Sequence, residues 1–332
     1  MAATGVSIAM TTYNGARYLA EQLDSFAAQT RLPDELVVGD DGSTDDTAAI
    51  LADFAARAPF AVRVTVNPAQ LGFARNFIET ALRCRGAVIL MSDQDDRWEP
   101  VKLATMVDHL AAHSGCWIAS HDAALMDGDG QPIGLTMGDQ IVAAGGDPAR
   151  DLVAGCCMAI DARLVRLYDP PPPTRAHDAW LTAIADLLGL RGWVAQPLIA
   201  YRRHGANVSV SYMSQLNRTS RWQRALDRLA KARAEPVGRA LDQSMADRSA
   251  MAAAIAGHRA TLLEIVPAAR LGHALAELDR GLERDRRRRA IHAGPRLARF
   301  GHLAAAVGHG VYAGRGGMLS LLRDVHGCIR AG

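Results

Sequence analysis

Cysteine is scarce and unpatterned. The chain's five, Cys84, Cys116, Cys156, Cys157 and Cys328, show no Cys-x-x-Cys spacing, and an odd number argues against a disulfide framework or a structural zinc site. A reducing compartment is expected. No apolar run reaches the roughly 18 residues that a spanning helix needs, and no basic stretch precedes the apolar residues between Met1 and Tyr13. Secretion and membrane insertion are therefore not expected. Aromatic residues are sparse among the arginines and no nucleic-acid motif is present, so nucleic acid is not an expected partner. A large charge excess is also missing, because 37 Lys and Arg stand against 35 Asp and Glu in 332 residues. What is present is a 49% apolar content, enough to bury a large core in one or two domains.

The near balance of charge conceals two unlike parts. Residues 1–210 hold 16 Lys and Arg and 25 Asp and Glu, a net −9, whereas residues 211–332 hold 21 and 10, a net +11. Such parts are built for different neighbours. The first alternates short β-rich runs with amphipathic stretches, the pattern of a doubly wound, mostly parallel α/β sheet. Strands are expected over Gly5–Thr12, Glu35–Asp40, Ala61–Val66 and Ala87–Ser92, with helices over 16–29, 45–57 and 73–83 between them. Further on come a strand at 116–124, a Gly- and Asp-rich stretch from Asp127 to Asp151, and a short strand at 155–161. A stiff proline run at Pro170–Pro173, a helix at 178–188, and strands near Trp193 and at 198–202 follow. From Ser211 the texture is helical, which places a domain boundary near Val210.

The chemistry sits where the strands end. Thr11-Thr12-Tyr13-Asn14-Gly15, Asp40-Asp41-Gly42-Ser43-Thr44-Asp45 and Ser92-Asp93-Gln94-Asp95-Asp96 each close an apolar strand. On a parallel sheet those ends lie side by side, where ligands bind. Crowded carboxylates are costly, and a bound cation is the usual remedy. Mg²⁺ or Mn²⁺ with oxygen ligands, bridging to a diphosphate, is the expected occupant. Read singly, the first acidic group is also a turn and helix cap at Ser43 or Asp45, and the second is also the acidic first turn of a helix over Val101–Leu110. Acidic groups at two strand ends of one unit favour a site.

The motifs TTYNG, VVGDDGSTDDT, LGFARNF and ILMSDQDDRW, in this order, resemble the inverting glycosyltransferases of family 2, whose fold is called GT-A. SDQDDRW, GCCMAID, HDAW and YRRHGANV further resemble the bacterial rhamnosyltransferase-like branch, which builds surface polysaccharides. The likeness covers about residues 5–210 and rests on several ordered motifs, where a lone DxD would mean little. It implies that Thr11, Tyr13, Asp40 and the adjacent Asp41 hold the nucleoside, with Asp40 facing the base. Asp93 would approach the ribose, Asp95 would bind the metal, and Asp96 would support their loop. Arg75 stands where a family segment reaches the nucleotide, although the spacing here is shorter. Asp178 matches the base that deprotonates the acceptor hydroxyl, with His177 where the family often has Glu; an N-cap role for Asp178 is compatible. His204 would be a third metal ligand or diphosphate contact, and Arg202 and Arg203 would be diphosphate contacts or solvated. Cys156 and Cys157 read as small buried thiols, and His121-Asp122 as lining an acceptor side or as structural.

The implied activity is single-sugar transfer from a nucleotide-sugar, such as dTDP-rhamnose, to a glycan or lipid-linked glycan. Processive relatives carry Gln-x-x-Arg-Trp and spanning helices, whereas here Gln215 lies six residues before Arg221-Trp222. The basic stretch Asn217–Arg233, the arginine run Arg284–Arg289, and Leu297, Phe300, Leu303, Val307 and Val311 suit helices on an anionic membrane surface. The same residues suit packing on the acidic part or self-association into a homo-oligomer. A cytoplasmic protein, peripheral on the inner face of the plasma membrane, is expected. The rivals are a sugar nucleotidyltransferase, which should carry a Gly-rich basic phosphate loop after strand 1, and an inactive membrane scaffold, against which Asp40, Asp93, Asp95 and Asp178 together argue.

Overall fold

The apolar runs that end in acidic loops form the middle of one nine-stranded sheet. The computed structural model describes residues 5–168, 176–205, 237–293, 295–313 and 317–330. The chain divides into two compact units, Met1–Pro171 with Ala176–Arg218, and Thr219–Gly332 with the short piece Pro172–Arg175. The boundary expected near Val210, the Pro170–Pro173 run and the basic stretch Asn217–Arg233 lie outside the described residues.

The first unit opens with β1 (Val6–Thr12), α1 (Ala16–Ala27), β2 (Glu35–Asp40), α2 (Thr47–Arg57), β3 (Ala61–Val66), α3 (Phe73–Leu82) and β4 (Val88–Ser92). There follow β5 (Arg97–Trp98), α4 (Lys102–Ala112), β6 (Ile118–Met126), β7 (Pro132–Thr136), α5 (Met137–Ala143) and α6 (Pro148–Asp151). After a 3₁₀ turn at Gly155–Cys157 come β8 (Met158–Asp161), α7 (Ala162–Val165), α8 (His177–Leu188) and β9 (Arg191–Arg202). The strand order is β3-β2-β1-β4-β8-β6-β9-β5, with β7 on β6.

The half from β3 to β4 is parallel, and its central strands are buried along their length, which is why they read as continuous apolar runs. The other half is mixed: β8 is antiparallel to β4 and β6, while β9 runs parallel to β6 and antiparallel to β5. Leu19, Leu23 and Phe26 of α1 fall on one helical face and are wholly buried in the core with Ile8, Met10, Leu36 and Leu90. Each such burial stabilises by about 2 kcal/mol.

Three expectations change. Of the strand expected over 155–161, only Met158–Asp161 is extended; the residues before it turn. The two strands expected near Trp193 and at 198–202 are one strand of 12 residues, whose pairing with β6 shifts register between His121 and Asp122 and again before Ala124. The stretch from Asp127 to Asp151 contains β7 and two helices, α5 being closed by a capping box between Thr136 and Asp139.

The second unit holds helices Val237–Gly257, Arg259–Leu263, Ala268–Ala293, Arg296–Gly308 and Gly317–Arg330. A buried carboxylate ties three of its segments together. Asp324, fully buried, accepts from Arg288 at 2.7 and 3.0 Å and from the Tyr312 hydroxyl at 2.7 Å, and lies 3.0 Å from His292 Nε2. Among the described residues no helix is long and apolar enough to cross a membrane.

Candidate functional site

The loops after β1 and β2 are stitched into one rim by side chains bonding to backbone. Asn14 takes a left-handed φ of 48°, which Asn tolerates, and its N–H donates to Ser43 Oγ at 2.9 Å while its Oδ1 accepts from Thr44 N at 2.8 Å. Gly15 N donates to Thr47 Oγ1 and Ala16 N to Asp45 Oδ2. Asp45 also accepts from the Thr47 amide and hydroxyl, so it bonds at the start of α2 although Asp46 is the capping position.

Asp40 is buried, and both its oxygens are taken: Oδ2 by the Thr12 and Ser43 hydroxyls at 2.7 and 2.6 Å, Oδ1 by Gly42 N and Ser43 N. It shapes the turn instead of opening toward a base. Asp41 reaches the other way, accepting from Asn67 Nδ2, Leu71 N and Gly72 N at 2.8–2.9 Å, and so holds the entry to α3. Arg75, in the first turn of that helix, is exposed and 3.7 Å from Glu79. Thr11 is half-buried and Tyr13 is exposed, with 49% of its surface open.

The Asp93–Asp96 loop joins β4 to β5, and α4 starts only at Lys102 with no acidic residue in its first turn, so the helix-start reading of these aspartates fails. Gln94 clasps the neighbouring loop: Oε1 accepts from Tyr13 N at 2.9 Å and Nε2 donates to Tyr13 O at 3.1 Å. A Cβ on Gly15 would collide with the same carboxamide, which is why glycine stands there. Asp95 Oδ2 lies 2.8 Å from His204 Nε2. Asp96 accepts from Arg202 N at 3.0 Å through Oδ1, while its buried Oδ2 has no partner among the described residues. Burial raises Asp93 to about 7, helped by the charges of Asp95 and Asp178. Burial and the neighbouring carboxylates Asp95 and Asp93 hold Asp96 well above the usual range.

Arg202 is only 2% exposed. Its Nε donates to Asp95 O at 2.8 Å, its terminal nitrogens meet Gly128 O and Glu21, and the guanidinium lies 4.7 Å over the Tyr18 ring. It braces the acidic loop from beneath, in place of the diphosphate contact expected of it. Arg203 is buried too and donates to Gln140 Oε1.

Asp178 lies in the first turn of α8; the cap is Ala176, and Asp178 Oδ1 accepts from Ala179 N at 2.7 Å. His177 beside it is 3% exposed and stacks on Phe77 at 4.4 Å, and burial lowers its pKa. The neighbouring Cys157 and burial hold the Cys156 thiol well above its ordinary range, which leaves it unreactive. His121 and Asp122 are buried in β6, where Asp122 accepts from Ala123 N and Gly138 N. That bonding serves α5 and fits the structural role.

Two donor sets are available for a cation. Asp95 with His204 offers a carboxylate oxygen, which suits Mn²⁺ or Mg²⁺, and an imidazole nitrogen, which a transition ion such as Mn²⁺ takes more readily than Mg²⁺. Asp93, Asp96 and Cys156 also place ligand atoms within 4.8 Å of one another, but a thiol is a poor partner for these hard ions. The Asp95–His204 pair is the better fit, with the orphaned Asp96 Oδ2 as an adjacent unsatisfied acceptor.

Sequence reasoning missed Gln94, Lys102, Asn67 and Asn76. The last two join Asp41 to Gly39 O, through Asn67 Nδ2 to Asn76 Oδ1 at 2.9 Å and Asn76 Nδ2 to Gly39 O at 2.8 Å. Both are buried polar residues beside expected turns, a signal visible only once burial is known.

The sheet carries an acidic loop and an exposed tyrosine at the carboxyl ends of its parallel strands, the edge where doubly wound α/β proteins bind ligands. Residues 7–153 match the family described as "Glycosyl transferase family 2". An uncharacterized protein of Mycobacterium tuberculosis is 35% identical over 127 residues, 38% of this chain and 37% of that protein. The chain therefore matches little more than a third of that relative's length. An uncharacterized glycosyltransferase of Nostoc sp. is 27% identical over 231 residues, 65% of this chain and 69% of that protein. The dTDP-rhamnosyl transferase RfbG of Shigella flexneri is 32% identical over 105 residues, 30% of this chain and 36% of that protein. Among solved structures, S. aureus TarS 1-349 in complex with UDP superposes with a TM-score of 0.51 at 17% identity, covering 85% of this chain and 90% of that one. The fold is GT-A with a helical C-terminal region.

Proposed function

We propose that the chain is a metal-dependent, inverting glycosyltransferase that moves one sugar from a nucleotide-sugar to a hydroxyl of a surface polysaccharide or lipid-linked oligosaccharide. The observation that carries this reading is the Asp95–His204 pair, 109 residues apart in sequence and 2.8 Å apart in space, at the end of β4. The family match over residues 7–153 supports it. In this reading Thr11 and the exposed Tyr13 ring meet the nucleoside, Asp40 and Asp41 shape the loops around it, and Arg75 faces the nucleotide from the start of α3. Asp93 stands by the ribose. Asp95 and His204 hold Mn²⁺ or Mg²⁺, which when bound offsets the charge growing on the leaving diphosphate.

Asp178 acts from the other side. It takes the proton of the acceptor hydroxyl as that oxygen bonds to the anomeric carbon and the bond to the diphosphate oxygen breaks. The base and sugar of the donor rest on relatives: the S. aureus protein's complexes with UDP and UDP-GlcNAc favour uridine, and the Shigella enzyme's name favours dTDP-rhamnose. Calorimetry with UDP-, GDP- and dTDP-sugars, each with and without Mn²⁺ or Mg²⁺, tests both. Metal-dependent binding of one class is expected, and no binding to any of them would remove the reading.

The second unit we assign to the inner membrane surface, where a lipid-linked acceptor would be found. Exposed Phe300, Val307, Met318 and Leu322 alongside arginine-rich helices support this. Salt-sensitive binding to anionic vesicles is expected. A concentration-dependent dimer without vesicle binding would instead favour self-association.

A further inference from the structure

Lys102 belongs to the acidic region, yet neither the sequence motifs nor the proposed chemistry uses it. It opens α4, donating its backbone N–H to Glu99 O at 3.0 Å, and its side chain is wholly buried. Nζ donates to Cys156 O at 2.6 Å and stands 3.8 Å from the centroid of the Trp98 ring. Trp98 lies in β5, two residues beyond Asp96, and is pinned by an edge contact with Phe26.

The carbonyl that Lys102 holds belongs to the Gly155–Cys157 turn, and that turn touches both sides of the site. Cys156 places its thiol within 4.8 Å of carboxylate oxygens of Asp93 and Asp96. Gly155 packs on the start of α8: a Cβ there would fall 2.8 Å from His177 Nε2 and 3.8 Å from Asp178 Cβ. An ammonium is costly to bury, and here its compensation among the described residues is one carbonyl acceptor and one ring face. A charge kept in so expensive a position, bonded to a turn that adjoins Asp93, Asp96 and Asp178, points to a use beyond packing.

We propose that Lys102 is a positioning residue of the transfer site: its ammonium ties the Gly155–Cys157 turn to Trp98 of β5, the strand that the Asp93–Asp96 loop leads into, and so fixes the distance between the diphosphate side and Asp178. This rests on the proposed reading of the site, and the experiment separates the two. Wild type, Lys102→Met and Lys102→Gln are compared by circular dichroism and melting, by calorimetry with UDP, GDP and dTDP in Mn²⁺, and by hydrolysis of the matching sugar nucleotide. Lys102→Gln keeps an N–H donor for Cys156 O without the charge.

The expected result is that Lys102→Met stays folded at the assay temperature, binds the nucleoside diphosphate about tenfold more weakly, and loses about a hundredfold in kcat, with Lys102→Gln between it and wild type. A misplaced base should cost turnover more than affinity. Variants that bind and turn over within twofold of wild type overturn the proposal, as do variants whose losses only track the fraction unfolded. A wild type that binds none of the three nucleotides removes the site reading, and the inference with it.

Discussion

The Gln94 carboxamide brackets Tyr13, accepting its N–H at 2.9 Å and donating to its carbonyl at 3.1 Å. Two loops that are 81 residues apart in sequence are thereby locked together, at the point where the proposed function puts the nucleoside beside the diphosphate. Gln94→Leu removes both bonds, each worth about 1 kcal/mol. Nucleoside diphosphate affinity should fall by about tenfold, with Gly15→Ala acting in the same direction by displacing the amide. Calorimetry reads both.

Asp178→Asn tests the base. The substitution preserves the bond to Ala179 N, so α8 should start as before and donor binding should stay within about twofold. Transfer should drop by about 10²–10⁴, the range for loss of a positioned proton acceptor. Normal turnover would exclude Asp178.

Asp95→Ala and His204→Ala test the ion. Each should abolish the difference in nucleoside diphosphate affinity between Mn²⁺ and chelator, whereas Arg75→Ala should weaken binding in both conditions. Unchanged metal dependence in the first two would exclude the pair as ligands.

The acidic loop should give the metal-free protein a distinct pH profile. Asp93 titrates near 7 in the fold, raised first by burial and then by its acidic neighbours, against an ordinary value of 3.8. The folded protein thus keeps a proton that the unfolded chain releases, so this contribution to stability is whole below about pH 4 and is lost as pH rises through about 7. Melting in chelator should show a decline across that window, and Asp93→Asn should lessen it, leaving the part due to Asp96.

In the helical unit, Asp324→Ala leaves Arg288 without its buried partner. A loss of about 3 kcal/mol in that unit's stability is expected from urea unfolding.

The sequence made the central strands plain because each is a run of apolar residues closed by Asp, Asn or Gly, and burial on both faces requires such a run. The acidic strand ends were legible for the same reason. Bonding within the site was not. Arg202 reads as a diphosphate contact or a solvated cation and Lys102 carries no sequence signal, because a sequence does not say that a long charged side chain turns inward to meet Glu21 or Cys156 O. Asp40 reads as an open acid until the turn that consumes its four hydrogen bonds is seen. The strand continuity of β9 was hidden by Pro197, which lies where the pairing with β6 shifts register.

β9 also has a consequence for the order of events during synthesis. His204 follows directly on this strand, whose parallel pairing with β6 and antiparallel pairing with β5 join distant parts of the chain. Such contacts form late, because a long loop must close before they reward it. A nascent chain that has emerged only as far as Asp178 already presents Asp93, Asp95 and Asp96 but not His204. On the proposed assignment, capture of the cation by Asp95 and His204 therefore awaits nearly the whole first unit, and an incompletely made chain lacks that pair.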